Sequence, residues 1–477
     1  MNILNKNLGR YRELVDDWAA FMDAMHSPLP GCLWVNQTRL DAATLQGLLA
    51  ADGIAAQPAD WNPDTFRLPA ACPVGNRWWY LAGLAHSQEE SSQLPVRLLA
   101  PQPGERVLDL CAAPGGKTAQ LALAVGMTGT VVANDTRLDR ISALRATIDR
   151  LGLLNVSVTR GDGAVFARSG GEFQRVLVDA PCSCEGTWRR TAPPHRQPEP
   201  SRQQMLQRTQ AALLRRAIEL CRPGGRIVYS TCTFAPEENE CIVDQVLRET
   251  AGSVQVLPVA PVPGLHTAPG IDYWQGRALA PGLVHTLRLW PHHNDTGGFY
   301  IAVLEKDPAL PAAQHRPAQL DALTVPELAA VMNHFGVPAT VYADWRLHQR
   351  SSRGVQVVNT LHQPPRRPVP ASTGMLVLKT QSNPPKLTTA GAMLVTPFAS
   401  RHVVALESVQ VPVFLARSTF PLQAVQIKGF SRSGFVLVSY HGFGLGTGYL
   451  DYPARQVQSL FPKRWAGLSH WNQDGKR

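Results

Sequence analysis

Apolar residues in the middle of the chain fall into short solid runs, each ending in a polar residue and followed by a helical pattern. Val107-Leu108-Asp109-Leu110-Cys111 is one such run, of the kind buried on both faces of a sheet. It leads into Ala112-Ala113-Pro114-Gly115-Gly116-Lys117, and a helix is predicted from Thr118. Thr130-Val131-Val132-Ala133-Asn134-Asp135 is the second strand. Ile141, Leu144, Ile148 and Leu151 then recur at helical spacing. Val156-Ser157-Val158 runs to Gly161-Asp162, and Arg175-Val176-Leu177-Val178 to Asp179. A long helix from about Gln203 is expected to close at Pro223-Gly224-Gly225. Ile227-Val228-Tyr229 leads to Thr231-Cys232, and Pro236 is expected to open a further helix. Alternating strands and helices predict an α/β fold with a parallel sheet covered on both faces. Residues 287–290 and 298–304, joined by a polar turn, read as a hairpin on its edge.

The flanks differ. Residues 4–25 look like one amphipathic helix, 32–36 a strand, and 58–63 a polar, proline-bearing break. After Asp307 a proline-rich linker is expected, then a helix over 326–335. Short β-rich runs follow at 375–378, 413–415, 424–427 and 435–438, with a glycine-rich turn at 442–448. They suggest a small barrel-like domain. A chain of 477 residues calls for two or three domains. The expected divisions are 1–81 (α+β), 82–307 (α/β) and 308–477 (β-rich).

Composition narrows the partners. The chain is 44% hydrophobic and 17% charged, which excludes a disordered protein, and its net charge is +10. A polyanion, most simply nucleic acid, is the expected partner. Arginines such as Arg189-Arg190, Arg215-Arg216 and Arg366-Arg367 suit phosphate, although a basic surface with no such role has the same composition. Eight scattered cysteines form no disulfide framework, and without Cys-x-x-Cys pairs no metal site is expected. Neither a signal core nor a run long enough to cross a membrane is seen, so a cytoplasmic protein with reduced thiols is expected; a monomer is expected as well.

The five strands end in Cys111, Asp135, Asp162, Asp179 and Cys232, which puts a candidate site at one rim of the sheet. Any single Asp there is equally well a turn or cap residue; the row together with the glycine turn is not. The Ala113–Lys117 turn lets backbone approach a ligand, and Asp135 follows roughly 20 residues on, the usual place for a carboxylate on ribose hydroxyls. A nicotinamide enzyme would share this pair but not the loop, which lacks Gly-x-Gly-x-x-Gly. Asp162 could meet an adenine amino group, and Asp179 a cofactor amino group or a flipped base. Cys182 and Cys232 each follow a strand end in the same crevice. One reaction class uses two thiols there: a thiolate adds to carbon 6 of cytosine, carbon 5 becomes nucleophilic, and the thiolate later leaves. Cys184 is read as a spare loop residue, and Cys32, Cys72, Cys221 and Cys241 as small buried hydrophobes.

These motifs resemble the RNA (cytosine-5)-methyltransferases of the nucleolar-protein/Sun group, S-adenosylmethionine enzymes. The matching segments are Leu108 to Thr118, Asp179-Ala180-Pro181-Cys182-Ser183, Ser230-Thr231-Cys232-Thr233, Pro236-Glu237-Glu238-Asn239-Glu240, Gly297-Gly298-Phe299-Tyr300 and the upstream Gln88 to Pro95. The resemblance implies a Rossmann-like methyltransferase sheet. It implies Cys232 as nucleophile, Cys182 as the thiol assisting release, and S-adenosylmethionine held by Cys111, Ala112, Ala113, Pro114, Gly115, Gly116 and Lys117 with Asp135, Asp162 and Asp179. DNA cytosine methyltransferases use the Pro-Cys thiol as nucleophile instead, so the roles of the two cysteines are the point to test. One departure is visible: the family often has glycine where this chain has Cys184. The C-terminal part is similar to the PUA-like domain of bacterial members that methylate 16S ribosomal RNA, which implies 16S rRNA or the small subunit as partner. A transfer RNA methyltransferase and a non-catalytic RNA-binding assembly factor are the competing readings.

Overall fold

The five parallel strands form side by side in the computed structural model, which describes residues 3–191, 193, 199–312, 318, 320, 325–351 and 354–466. Across the sheet they run Val156–Arg160, Thr130–Asp135, Arg106–Asp109, Phe173–Asp179 and Cys221–Thr231. Arg106–Asp109 comes first in sequence yet lies centrally, pairing in parallel with Thr130–Asp135 on one side and Phe173–Asp179 on the other. The strand order reverses there, and ligands bind at the carboxyl ends of the strands that flank such a point. Val107, Leu108, Val131, Val132, Val176 and Leu177 are wholly buried, as the solid apolar runs require. Helix Leu138–Leu151 lays Ile141, Leu144, Ile148 and Leu151 into the core and closes on left-handed Gly152.

Two helix boundaries differ from expectation. Helix Pro200–Leu220 stops before Pro223-Gly224-Gly225, because Cys221 already enters the next strand. The helix expected from Pro236 begins at Glu240, and residues 236–239 form a turn that aims Glu238 and Asn239 back at the strand.

The hairpin expected at the edge is present. Phe299–Lys306 pairs antiparallel with both Leu287–Leu289 and Cys221–Thr231, so it borders the strand that carries Cys232. At the opposite edge Ser372–Thr373 pairs with Val156–Arg160, so the C-terminal region adds a strand to the central sheet. In the N-terminal part Gln57–Ala59, Asn62–Leu68, Gly31–Val35 and Ala85–Ser87 form an antiparallel sheet. The expected divisions at 81 and 307 therefore fall within shared sheets. The proline-rich stretch after Asp307 lies largely outside the described residues.

The single helix expected over 4–25 is broken into Ile3–Leu8 and Trp18–His26. Asp17 is the reason: its carboxylate accepts from Ala20 N at 3.0 Å and caps the second helix. The 58–63 break is the turn of a β-hairpin.

In the C-terminal region the runs at 375–378 and 435–438 are strands, and helix Pro326–Phe335 is as expected. The run at 413–415 belongs to helix Val411–Leu415, with Pro412 in its first turn. The run at 424–427 is a 3-10 turn boxed by Gln423 and Gln426. The glycine-rich 442–448 is mostly strand, Phe443–Asp451, with only its first glycine in the turn. Short apolar runs carry too little periodicity to separate these cases. The result is a β-rich region with a four-stranded and a five-stranded sheet. Its core is continuous with that of the N-terminal part, where Trp78 meets Tyr440 edge-on at 4.9 Å. Among the described residues no helix is long and apolar enough to cross a membrane.

Several arginines read as phosphate contacts serve the fold. Arg189 is buried and donates to Ser27 O, Pro28 O and Thr296 O while pairing with Asp295 at 2.5 Å. Arg215 pairs with Glu249, and Arg216 with Glu219. Arg190, Arg366 and Arg367 are exposed.

Two stability predictions follow from this packing. Arg189→Ala should lower unfolding stability by about 3 kcal/mol, because it strands buried acceptors, whereas Arg190→Ala should change it little; urea unfolding of both variants checks this. Burial raises the Asp109 carboxyl to about 7, against a hydrogen bond from Thr118 that favours ionisation. A raised acid stabilises fully below its unfolded value near pH 4 and loses that contribution as pH climbs to about 7. The loss should be on the order of 4 kcal/mol and should be absent in Asp109→Asn, as read from melting curves between pH 4 and 8.

Candidate active site

A cavity of about 860 Å³ opens at the carboxyl ends of the parallel strands. All the residues proposed for the site line it: Cys111, Ala112, Ala113, Pro114, Gly115, Gly116, Lys117, Asp135, Asp162, Asp179, Cys182 and Cys232. Each is delivered by a strand end or the loop after it, so one sheet edge converts a scattered set into one wall.

The glycine turn must stay bare. Gly115 has φ +108°, and a Cβ on Gly116 would lie 2.7 Å from Gln88 Oε1. Gln88 is itself fixed, accepting from Trp34 Nε1 at 2.9 Å and donating to Ser92 O at 2.9 Å. Asp135 is buried and accepts from Ala113 N (3.2 Å) and Arg137 N (3.1 Å), with Arg140 alongside. Asp162 is exposed and accepts from Ala164 N at 2.9 Å. Lys117 does not face the thiols: its ammonium pairs with Asp179 at 2.8 Å and donates to Ser92 Oγ at 2.6 Å. The bare backbone and three carboxylates fit a nucleoside with hydroxyl and amino groups to donate and a cationic centre to balance. Burial, with the Asp109 and Asp179 carboxylates nearby, pushes the Cys111 thiol up, which suits packing rather than chemistry.

The Cys182 and Cys232 sulfurs lie 3.4 Å apart. Gly186 N donates to Cys232 O at 2.9 Å, and Gly298 N donates to Gly186 O at 3.0 Å, so both cysteine loops and the edge hairpin interlock. Glu238 accepts from Ser183 N at 3.0 Å and from Gln210 Nε2 at 2.8 Å, and Gln210 also holds Pro181 O. Asn239 accepts from Thr231 Oγ1 and donates to Thr233 O. Glu185 accepts from Tyr11 and Thr233.

Cys184 was expected to be a spare loop residue, but its sulfur is 3.9 Å from that of Cys182 and it lines the cavity. It stands at φ +60°, the left-handed region that favours glycine. Sulfur hydrogen bonds from Cys182 and Cys232, helped by Arg140 and Arg190, lower the Cys184 thiol to about 3. Hydrogen bonds to Cys184 and Cys232, with burial, raise Cys182. For Cys232 a hydrogen bond from Cys182 opposes the rise, but the Cys184 contact and burial outweigh it.

Gln88, Ser92, Glu238 and Asn239 fall within the matching segments, but neither a strand end nor a spacing marks them as site residues. Arg140 left no signal, because its role depends on the helix turning it over the glycine loop, where it also donates to Ala113 O.

Residues 96–305 match the family model described as 16S rRNA methyltransferase RsmB/F, and 11–75 match an RsmF/B-like ferredoxin-like domain. A ribosomal RNA small subunit methyltransferase F of Klebsiella pneumoniae is 36% identical over 298 residues, 61% of this chain and 60% of that protein. The match thus spans less than two thirds of that relative's length. A tRNA (cytosine(49)-C(5))-methyltransferase of Pyrococcus abyssi is 34% identical over 64% of this chain and 96% of its own length. The crystal structure of a methyltransferase homolog from Pyrococcus horikoshii superposes with a TM-score of 0.55 at 32% identity, covering 63% of this chain and 94% of that one. With its sheet order, its glycine turn and its paired thiols, the chain belongs to the RsmB/F methyltransferase family.

Proposed function

We propose that the protein methylates carbon 5 of a specific cytosine in RNA, most simply 16S rRNA in the small subunit, acting in the cytoplasm as a monomer. The observation that carries this reading is the pair of thiols 3.4 Å apart beside a nucleoside-shaped cradle. S-adenosylmethionine would be held by residues 111–117 with Asp135, Asp162 and Asp179, and when bound it supplies an electrophilic methyl group. Cys232 adds to carbon 6 of the flipped base, which makes carbon 5 nucleophilic. Carbon 5 would then bond the methyl group; once a base takes the proton that remains on carbon 5, the carbon 5–carbon 6 double bond re-forms as the Cys232 sulfur–carbon 6 bond breaks, and Cys182 assists that release. Both thiols need to lose a proton to react. Asp179, fixed by Lys117 and by Ser230 at 3.0 Å, can accept from a base amino group. The β-rich C-terminal region, read as PUA-like, would grip RNA by shape and phosphate.

The match to the Pyrococcus abyssi enzyme over nearly its whole length favours transfer RNA as the second reading. Bisulfite mapping of ribosomal and transfer RNA, with and without the gene, should show one 5-methylcytosine lost from 16S rRNA. Loss from transfer RNA alone would transfer the assignment to the second reading, and no loss would leave the assembly-factor reading.

The division of labour between the thiols is testable in vitro. Cys232→Ala should abolish methyl transfer, and Cys182→Ala should accumulate a denaturant-resistant protein–RNA adduct. Trapping by Cys232→Ala instead would exchange the roles.

A further inference from the structure

Three sulfurs, not two, converge at the mouth of the cavity. Those of Cys182, Cys184 and Cys232 all lie within 4.8 Å of one another, with two of the separations 3.4 and 3.9 Å. A tetrahedral zinc with bonds of about 2.3 Å to sulfur holds its thiolates about 3.8 Å apart. The cluster therefore already has the span of a metal's ligand face. Three thiolates also suit a soft d¹⁰ cation, in preference to magnesium or calcium, which take oxygen. Cys184 is exposed, which gives an ion a way in, and the open cavity leaves room for a water as fourth ligand. Three thiolates around a divalent ion carry a residual negative charge, and Arg140 and Arg190 stand beside it.

A second cluster, Asp16 with His292 and His293, has metal-like spacing but suits an ion less well. Both Nε2 atoms already bond Asp16 at 2.9 Å, and both Nδ1 atoms are buried without a partner among the described residues. Metal on Nε2 would put an unpaired N–H on each buried Nδ1, the opposite of the usual supported ligand.

We infer that Cys182, Cys184 and Cys232 form a three-thiolate site for a thiophilic d¹⁰ cation such as Zn²⁺. Each thiol gives its proton to solvent as its sulfur binds, so affinity rises with pH. Occupancy ties up both thiols of the proposed reaction, a consequence that rests on the function proposed above. The ion and the target cytosine then exclude each other.

Reduced, metal-free full-length protein titrated with Cd²⁺ should develop a thiolate-to-metal charge-transfer band that saturates at one ion per chain. Zn²⁺, measured against a chromophoric chelator, should compete for the same site. Cys184→Ser should weaken both by at least about 100-fold, more than loss of an outer-shell partner costs. Cys184→Gly, which suits the left-handed backbone, should do the same. His293→Ala should leave the band intact. Equal affinity in wild type and both Cys184 variants, or loss of binding only in His293→Ala, would overturn the site. Methyl transfer, each protein compared with its own metal-free rate, should be blocked by Zn²⁺ and restored by chelator in wild type, and resist zinc in the Cys184 variants. Because the titration needs no RNA, a protein inactive on every RNA would refute the function while leaving the metal site standing or falling by itself.

Discussion

The backbone contact between the two cysteine loops and the edge hairpin is the constraint on which the site depends. Gly186 lies so close to Gly298 that a Cβ would fall 2.2 Å from its carbonyl oxygen. That approach lets Gly186 link the Cys232 carbonyl to the hairpin by main-chain hydrogen bonds. Main-chain bonds leave little torsional slack, so the backbones that carry the two thiols are held in fixed register and only one torsion per cysteine places each sulfur. The Glu238 carboxylate does the same for the Cys182 loop from the other side, tying Ser183 N to Gln210 on a neighbouring helix. Two loops that are distant in sequence are thereby held to one geometry.

Charge in the cavity is divided by these positions. Lys117, the obvious cation, is occupied by Asp179 and cannot draw a thiolate toward itself. The guanidinium groups of Arg140 and Arg190 line the same cavity and favour ionisation of Cys184. The surroundings of the thiols favour ionisation of Cys184 and oppose that of Cys232. A thiol that ionises early is a good metal ligand and a weak base, while one that ionises late is a stronger nucleophile once deprotonated. The cluster separates the two properties onto different residues.

Much of this was legible in the chain itself. Solid apolar runs with polar ends located the strands, and the order of those ends located the cavity, because only a parallel sheet gathers carboxyl ends at one rim. What stayed hidden depends on direction. Composition cannot say that Arg189 turns inward to carbonyls while Arg190 turns outward. Spacing cannot say that Cys184, two residues from Cys182, sends its sulfur back toward it; the left-handed backbone decides that. Asp17 starts a new helix where amphipathicity alone would have continued the first. The runs at 413–415 and 424–427 were too short to declare a period.

The accessory parts are built into the same rigid frame. Phe21 and Tyr11 from the N-terminal helices pack edge-on against Phe234, two residues beyond Cys232. Tyr11 also donates to Glu185, whose carboxylate holds Thr233 next to the thiol. Arg288, buried against Glu240, donates to Phe234 O and closes the loop from the hairpin side. At the far edge Ser372–Thr373 extends the sheet itself. These contacts tie the elements on both flanks to the cysteine loops, and the proposed reaction on one flipped base would need positioning of that kind.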